Sequence, residues 1–105
     1  MIVNFFESTI TVNVRICQDQ MIELVYHDRV IYRGSLELTL MQIRRIIDDI
    51  SQLGEKSLVF NVSNHRLSTS QYESDKLYLA DKINSMSKFS RCKIRVNTGL
   101  HGFIG

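Results

Sequence analysis

The apolar residues of this chain change their spacing as the sequence proceeds, and the changes set the order of its elements. Val12, Val14 and Ile16 alternate with Thr11, Asn13 and Arg15, the two-residue period of a half-buried strand. Met21 to Tyr26 and Val30 to Tyr32 are two more β-rich runs, with His27-Asp28-Arg29 as a tight turn between them. The period then lengthens. Leu40, Ile43, Ile47 and Ile50 fall three or four apart, beside Ile46 and Leu53, which predicts a helix from Leu40 to Leu53. Thr39 is its expected N-cap and Gly54 the residue just past its end. Arg44/Asp48 and Arg45/Asp49 set opposite charges one turn apart on its outer face, in the weaker base-before-acid order. Ser57 to Val62 returns to strand, and its continuous centre Leu58-Val59-Phe60 predicts burial on both faces. The loop Ser63 to Ser70 leads into a second helix, Gln71 to Met86, with Tyr72, Leu79, Ile83 and Met86 on its apolar side and Ala80 adjacent. Cys92, Ile94 and Val96 alternate with Arg91, Lys93 and Arg95 in a last strand.

This order predicts an α/β fold: a mixed β-sheet with two main helices, a βαβαβ core with right-handed crossovers, and N-terminal strands that pair at one side. With 105 residues the chain is read as a single domain, 1–105, divided into a strand extension (1–20), a core (21–96) and a short tail (97–105). A hydrophobic share of 44% is enough for a core without disulfides or metal, and a net charge of only +2 excludes disorder as the main state. No uncharged apolar run of ~18 residues exists to form a transmembrane helix. Met1 to Glu7 lacks a basic region ahead of its apolar residues, so a secretion signal is not expected. Cys17 and Cys92 read as reduced strand cysteines, and together these features favour a cytoplasmic location.

From about Met21 to Val96 the chain resembles a STAS domain, the fold of anti-sigma factor antagonists. Gly34-Ser35-Leu36-Glu37 stands where that family has Gly-x-Leu-Asp before its first helix. Leu58-Val59-Phe60-Asn61-Val62-Ser63 is similar to the family's apolar strand ending in Asp-Leu-Ser. Thr69 and Ser70 begin eight residues after Asn61, the offset at which the family has Asp-Ser-Ser-Gly. Thr69, Gln71 and Tyr72 replace the Asp, the second Ser and the Gly, and the sequence given stops nine residues after Val96, before the family's C-terminal helix. The resemblance implies a non-catalytic regulatory module whose serine, here Ser70, is phosphorylated by a partner kinase. It implies an anti-sigma factor or serine kinase as the partner.

Each candidate residue also has a structural reading. Ser70 followed by Glu73 is a capping box and needs no phosphate for that role; Ser68 and Thr69 are the weaker modification candidates. His65, Arg66, Ser70 and Glu73 form the expected partner-binding segment. Arg91, Lys93 and Arg95 make a basic stripe, which either touches phosphate or an acidic partner or discourages edge pairing. Met1 to Phe6 reads either as a further strand joining the core or as an apolar edge buried in a homodimer or partner. His27, His65 and His101 lack metal-ligand spacing, Gly99 and Gly102 lack the lysine and helix of a phosphate loop, and no nucleophile–base pair can be named. No metal, cofactor or catalytic residue is therefore expected. The alternative function is a small inhibitor or immunity protein that blocks an effector by covering its surface. A nucleic-acid partner ranks below a protein one.

Overall fold

The computed structural model describes residues 8–54, 56–64, 70–88 and 90–98, with no account of the Ser70 side chain. Five strands, β1 (Thr9–Ile16), β2 (Ile22–Tyr26), β3 (Arg29–Gly34), β4 (Ser57–Ser63) and β5 (Lys93–Asn97), form one mixed sheet in the order β3-β2-β1-β4-β5. β1 pairs antiparallel with β2 and parallel with β4; β2 pairs antiparallel with β3, and β4 parallel with β5. The helices are α1 (Leu36–Ser51) and α2 (Ser70–Ser87). The α/β class and the βαβαβ order thus stand as the periodicity predicts.

The topology decides where the helices lie. α1 carries the chain from β3 past β2 and β1 to β4, and α2 carries it from β4 on to β5. Both crossovers travel in one direction across the sheet. Right-handed crossovers of the same direction put both helices on the same face. The core is therefore a single layer. Ile10, Val12, Val14 and Ile16 of β1 and Leu58, Phe60 and Val62 of β4 meet Ile43, Ile46, Ile47 and Ile50 of α1 and Leu79 and Ile83 of α2. Each such side chain, fully buried, stabilises the fold by roughly 1.5–3 kcal/mol.

Several expectations are corrected. β4 is covered on one face only: Leu58, Phe60 and Val62 are buried, while Val59 between them is half-exposed. The continuous apolar run misled because a central strand in a two-layer fold needs only alternate positions in the core. Helix α1 begins a turn earlier than Thr39 suggests. Ser35 is the cap, its Oγ accepting from the Leu38 N–H at 3.4 Å, while Thr39 lies fully buried within the helix. At the other end α1 stops at Ser51, and Leu53 lies outside it, exposed. Gly54 has φ +99°, the left-handed conformation that favours glycine past a helix end. Lastly, β1 comes from the stretch read as an extension, yet it is the central strand of the sheet. The leading strands that pair at one side are β2 and β3.

Local chemistry explains the hairpin between those two. His27 and Asp28 both have positive φ, 50° and 62°, as a two-residue turn matching the strand twist requires. Arg29, expected in the turn, is the first residue of β3 and pairs with Tyr26. The expected strand Met1–Phe6 lies outside the described residues.

Two outcomes test this arrangement. Phe60→Ala should lower stability by about 3–5 kcal/mol in urea unfolding, whereas Val59→Ala on the uncovered face should cost less than about 1 kcal/mol. A chain starting at Met21 keeps the whole STAS-like segment but loses the strand between β2 and β4. It should show no cooperative unfolding transition, and a cooperative one would disprove the central role of β1.

Candidate functional site

Both long helices begin at the end of the sheet where the parallel strands β1 and β4 finish. Between their first turns lies a groove of about 470 Å³. Its floor is apolar: Leu36 is half-buried, and beneath it Ile16 at the end of β1 and Ile22 at the start of β2 are buried in the core. Its rim is polar, from Gln20, Ser35, Glu37, Gln71 and Asp75. On that rim the Gln71 side-chain amide donates to Asp75 Oδ1 at 3.0 Å. Gln20 enters through a short 3-10 turn, Gln18–Gln20, in which Asp19 and Gln20 both take positive φ near 60°.

Ser70 opens α2 at this same end of the sheet. His65, Arg66, Ser68 and Thr69 lie outside the described residues. Glu73 does not act simply as the far half of a capping box. Its carboxylate holds Lys76, with Nζ 2.9 Å from Oε2 and 3.2 Å from Oε1. Lys76 is only 3% exposed and occupies the place between Tyr72 and Leu79 on the apolar side of α2. Burial of an ammonium is costly without a paired acid, and Glu73 supplies one. Sequence reasoning passed over Lys76, although the four- and three-residue steps from Tyr72 and to Leu79 place it on the buried stripe.

The face of the sheet opposite the helices is built in cross-strand rows. In one row Arg33, Glu23, Arg15 and Ser63 face each other across β3, β2, β1 and β4. Arg15 donates through Nε and Nη2 to Glu23 Oε1 at 3.0 and 2.6 Å, and Arg33 Nε lies 3.7 Å from Oε2. The hydrogen bonds from Arg15 hold the Glu23 carboxyl below its ordinary 4.5, overcoming the opposing effect of desolvation. Burial, and then the Glu23 carboxylate, push the neighbouring Cys17 thiol up. In the next row Asn13, Asn61 and Asn97 form a ladder. The Asn61 amide donates to Asn13 Oδ1 at 3.2 Å, and the Asn97 amide donates to Asn61 Oδ1 at 3.0 Å. Beyond it lie the rows Thr11–Val59–Arg95 and Thr9–Ser57–Lys93.

The expected basic stripe divides. Lys93 and Arg95 share this open face, where they border a shallow hollow of about 250 Å³ with Thr9, Ser57 and Val59. Arg91 precedes β5 and instead lines a groove on the helix side with Arg44, Asp48, Ser51 and Ser90. There Ser51 and Ser90 hydroxyls lie 2.7 Å apart, and both reach the buried Cys92 sulfur, at 3.5 and 3.1 Å. His27 sits exposed in the β2–β3 turn with its ring edge-on to Tyr26. Among the described residues no three His, Cys, Asp or Glu side chains gather to hold a metal ion, and no helix is long and apolar enough to cross a membrane.

Comparison of the chain with protein-family models, with curated proteins and with solved structures finds no match.

The Arg15–Glu23 pair sets a pH dependence. The folded value of Glu23 lies below its unfolded value, so the pair stabilises the fold above about pH 4.5 and that contribution is lost as pH falls through the folded value. The stability gap between wild type and Glu23→Gln should therefore shrink as unfolding is measured from about pH 6 down to about pH 3. A gap that stays constant would show that Arg15 does not hold the carboxylate in solution.

Proposed function

We propose that this chain is a non-catalytic protein-interaction module, a STAS-like regulator that receives a segment of its partner in the groove between the first turns of α1 and α2. The observation that carries the reading is the make-up of that groove. An apolar floor of Ile16, Ile22 and Leu36 inside a rim of Gln20, Ser35, Glu37, Gln71 and Asp75 repeats in miniature the apolar centre and polar rim of protein interfaces. An apolar side chain of the partner packs on Leu36, the floor residue left half-buried, and the rim amides and carboxylates bind its backbone and favour basic neighbours.

Ser70 is the control point of this proposal. It opens α2, one residue before the rim residue Gln71. A phosphoryl group there adds about −1.5 to −2 charge to the first turns of α2, which already carry Glu73 and Asp75. Like-charge repulsion and the cost of stripping water from a dianion oppose docking of an apolar segment, while the helix N-terminus keeps the modified residue tolerable to the fold. Following the resemblance, the partner is an anti-sigma factor or serine kinase, and the module is released by phosphorylation.

The test uses the partner captured from native lysate by the tagged chain, then titrated with purified variants. Ser70→Asp should bind at least about tenfold more weakly than wild type, and Ser70→Ala within about threefold of it. Gln71→Arg should also weaken binding, by placing a cation where a basic segment docks. If Ser70→Asp and Ser70→Ala both bind as tightly as wild type, the switch is wrong, and a constitutive inhibitor that needs only the groove becomes the better description. If Gln71→Arg has no effect either, the groove is not the docking site.

A further inference from the structure

The helix-free face of the sheet offers a second surface, separate from the groove. Its described side chains are Thr9, Thr11, Ser57 and Ser63, the ladder Asn13–Asn61–Asn97, and the cations Arg15, Arg33, Lys93 and Arg95. The carboxylate facing the same way is Glu23, already held by Arg15 and approached by Arg33. Among the described residues no acid pairs with Lys93 or Arg95, and both are exposed. Arginine, lysine, serine, threonine and asparagine are the side chains that proteins use to bind the phosphates and sugars of nucleic acids. Among the described residues the apolar side chains on this face are Val30, Val59 and the buried Val25, with no aromatic or large aliphatic anchor of the kind that carries a protein–protein interface.

We propose that this face binds the phosphodiester backbone of single-stranded nucleic acid, without reading its sequence. Charge decides the ligand class: the surplus cations sit among hydroxyls and amides, and among the described residues the one carboxylate on the face, Glu23, is already paired. Shape decides between single strand and duplex. Five strands spaced about 4.8 Å apart span roughly 19 Å, too wide for a major groove of about 12 Å, whereas an extended strand can follow the twisted face. Lys93 and Arg95, two residues apart on β5, stand about 6.6 Å from each other along the strand and flank the hollow lined by Thr9 and Ser57. They form the anchor. Arg33, with its longer contact to Glu23, extends the track to the opposite edge.

The test is fluorescence anisotropy of the full chain with a labelled oligothymidylate of about 20 nucleotides. With three cations engaged, the logarithmic salt slope should be about −2, so affinity should fall about 20-fold between ~50 and ~200 mM salt. Lys93→Glu with Arg95→Glu should weaken binding at least tenfold. Arg91→Glu, a change of the same charge on the helix-side groove, should leave it within about twofold. Lys93→Gln with Arg95→Gln repeats the test should the double reversal fail to fold. A flat salt response, an unaffected double variant, or an equal loss with Arg91→Glu would overturn the proposal. So would tighter binding of the matching duplex, or equal competition by polyglutamate, which would mark the face as one for acidic proteins. Ser70 variants should bind the oligonucleotide as wild type does, so this outcome is independent of the groove.

Discussion

Everything distinctive about this molecule follows from the direction of its two crossovers. Because β3 to β4 and β4 to β5 both run the same way across the sheet, the handedness of the chain leaves α1 and α2 no choice but a common face. A reversal at either step would have produced three layers and buried both sides of β4. With two layers, the strands divide their residues strictly: Ile10, Val12 and Val14 go to the core, and Thr9, Thr11 and Asn13 go to the open side. Both helix starts lie at one end of the sheet, where the groove forms, because β3 and β4 run parallel and each is followed by a helix.

The central strand gives this arrangement its stability. β1 pairs on both sides, with β2 and with β4, and its inward side chains are fully buried. Its end also supplies Ile16 to the groove floor, so the strand that holds the sheet together fixes one wall of the candidate site. The open face cannot rely on burial for its order. It relies on pairing across strands instead: guanidinium to carboxylate from β1 to β2, and amide to amide from β1 through β4 to β5. Such a ladder keeps asparagines, which would otherwise favour turns, in place on three neighbouring strands.

How much of this could be read from the sequence depends on range. Period and punctuation are local, so the alternation of Val12, Val14 and Ile16 and the spacing of Ile43, Ile47 and Ile50 located their elements well. Helix ends were harder. Ser35 and Thr39 are both good caps, and the choice fell to Ser35 because Leu36 and Leu40 each found a place against the core. Whether Leu58-Val59-Phe60 is covered on one side or two depends on which way α1 and α2 travel, and no local pattern records that. The position of β1 is hidden for the same reason: a strand that comes first in the chain can pair anywhere. The Asn13–Asn61–Asn97 ladder joins residues 48 and 36 positions apart, and only strand order and register bring them together. Lys76 was legible from its spacing. Yet the spacing alone does not place it inside, because a lysine is expected outside and its burial needs a paired acid, which Glu73 three residues earlier supplies.

The division of charge gives the last step. The formal net charge is small, +2, so no strong field surrounds the whole molecule. Yet its acids and bases are not mixed evenly. Glu37, Glu73 and Asp75 gather near the helix starts, where the helix dipoles favour them. Lys93, Arg95, Arg15 and Arg33 lie on the far side of the sheet. Two surfaces of opposite character, separated by the thickness of the fold, would compete for the same ligand only weakly, since charges farther apart than about 8 Å are screened at physiological salt. On the two proposals, a basic segment would be drawn to the groove and an anion to the open face. Neither proposal requires the other surface to be filled, because each rests on its own set of side chains at its own place in the fold.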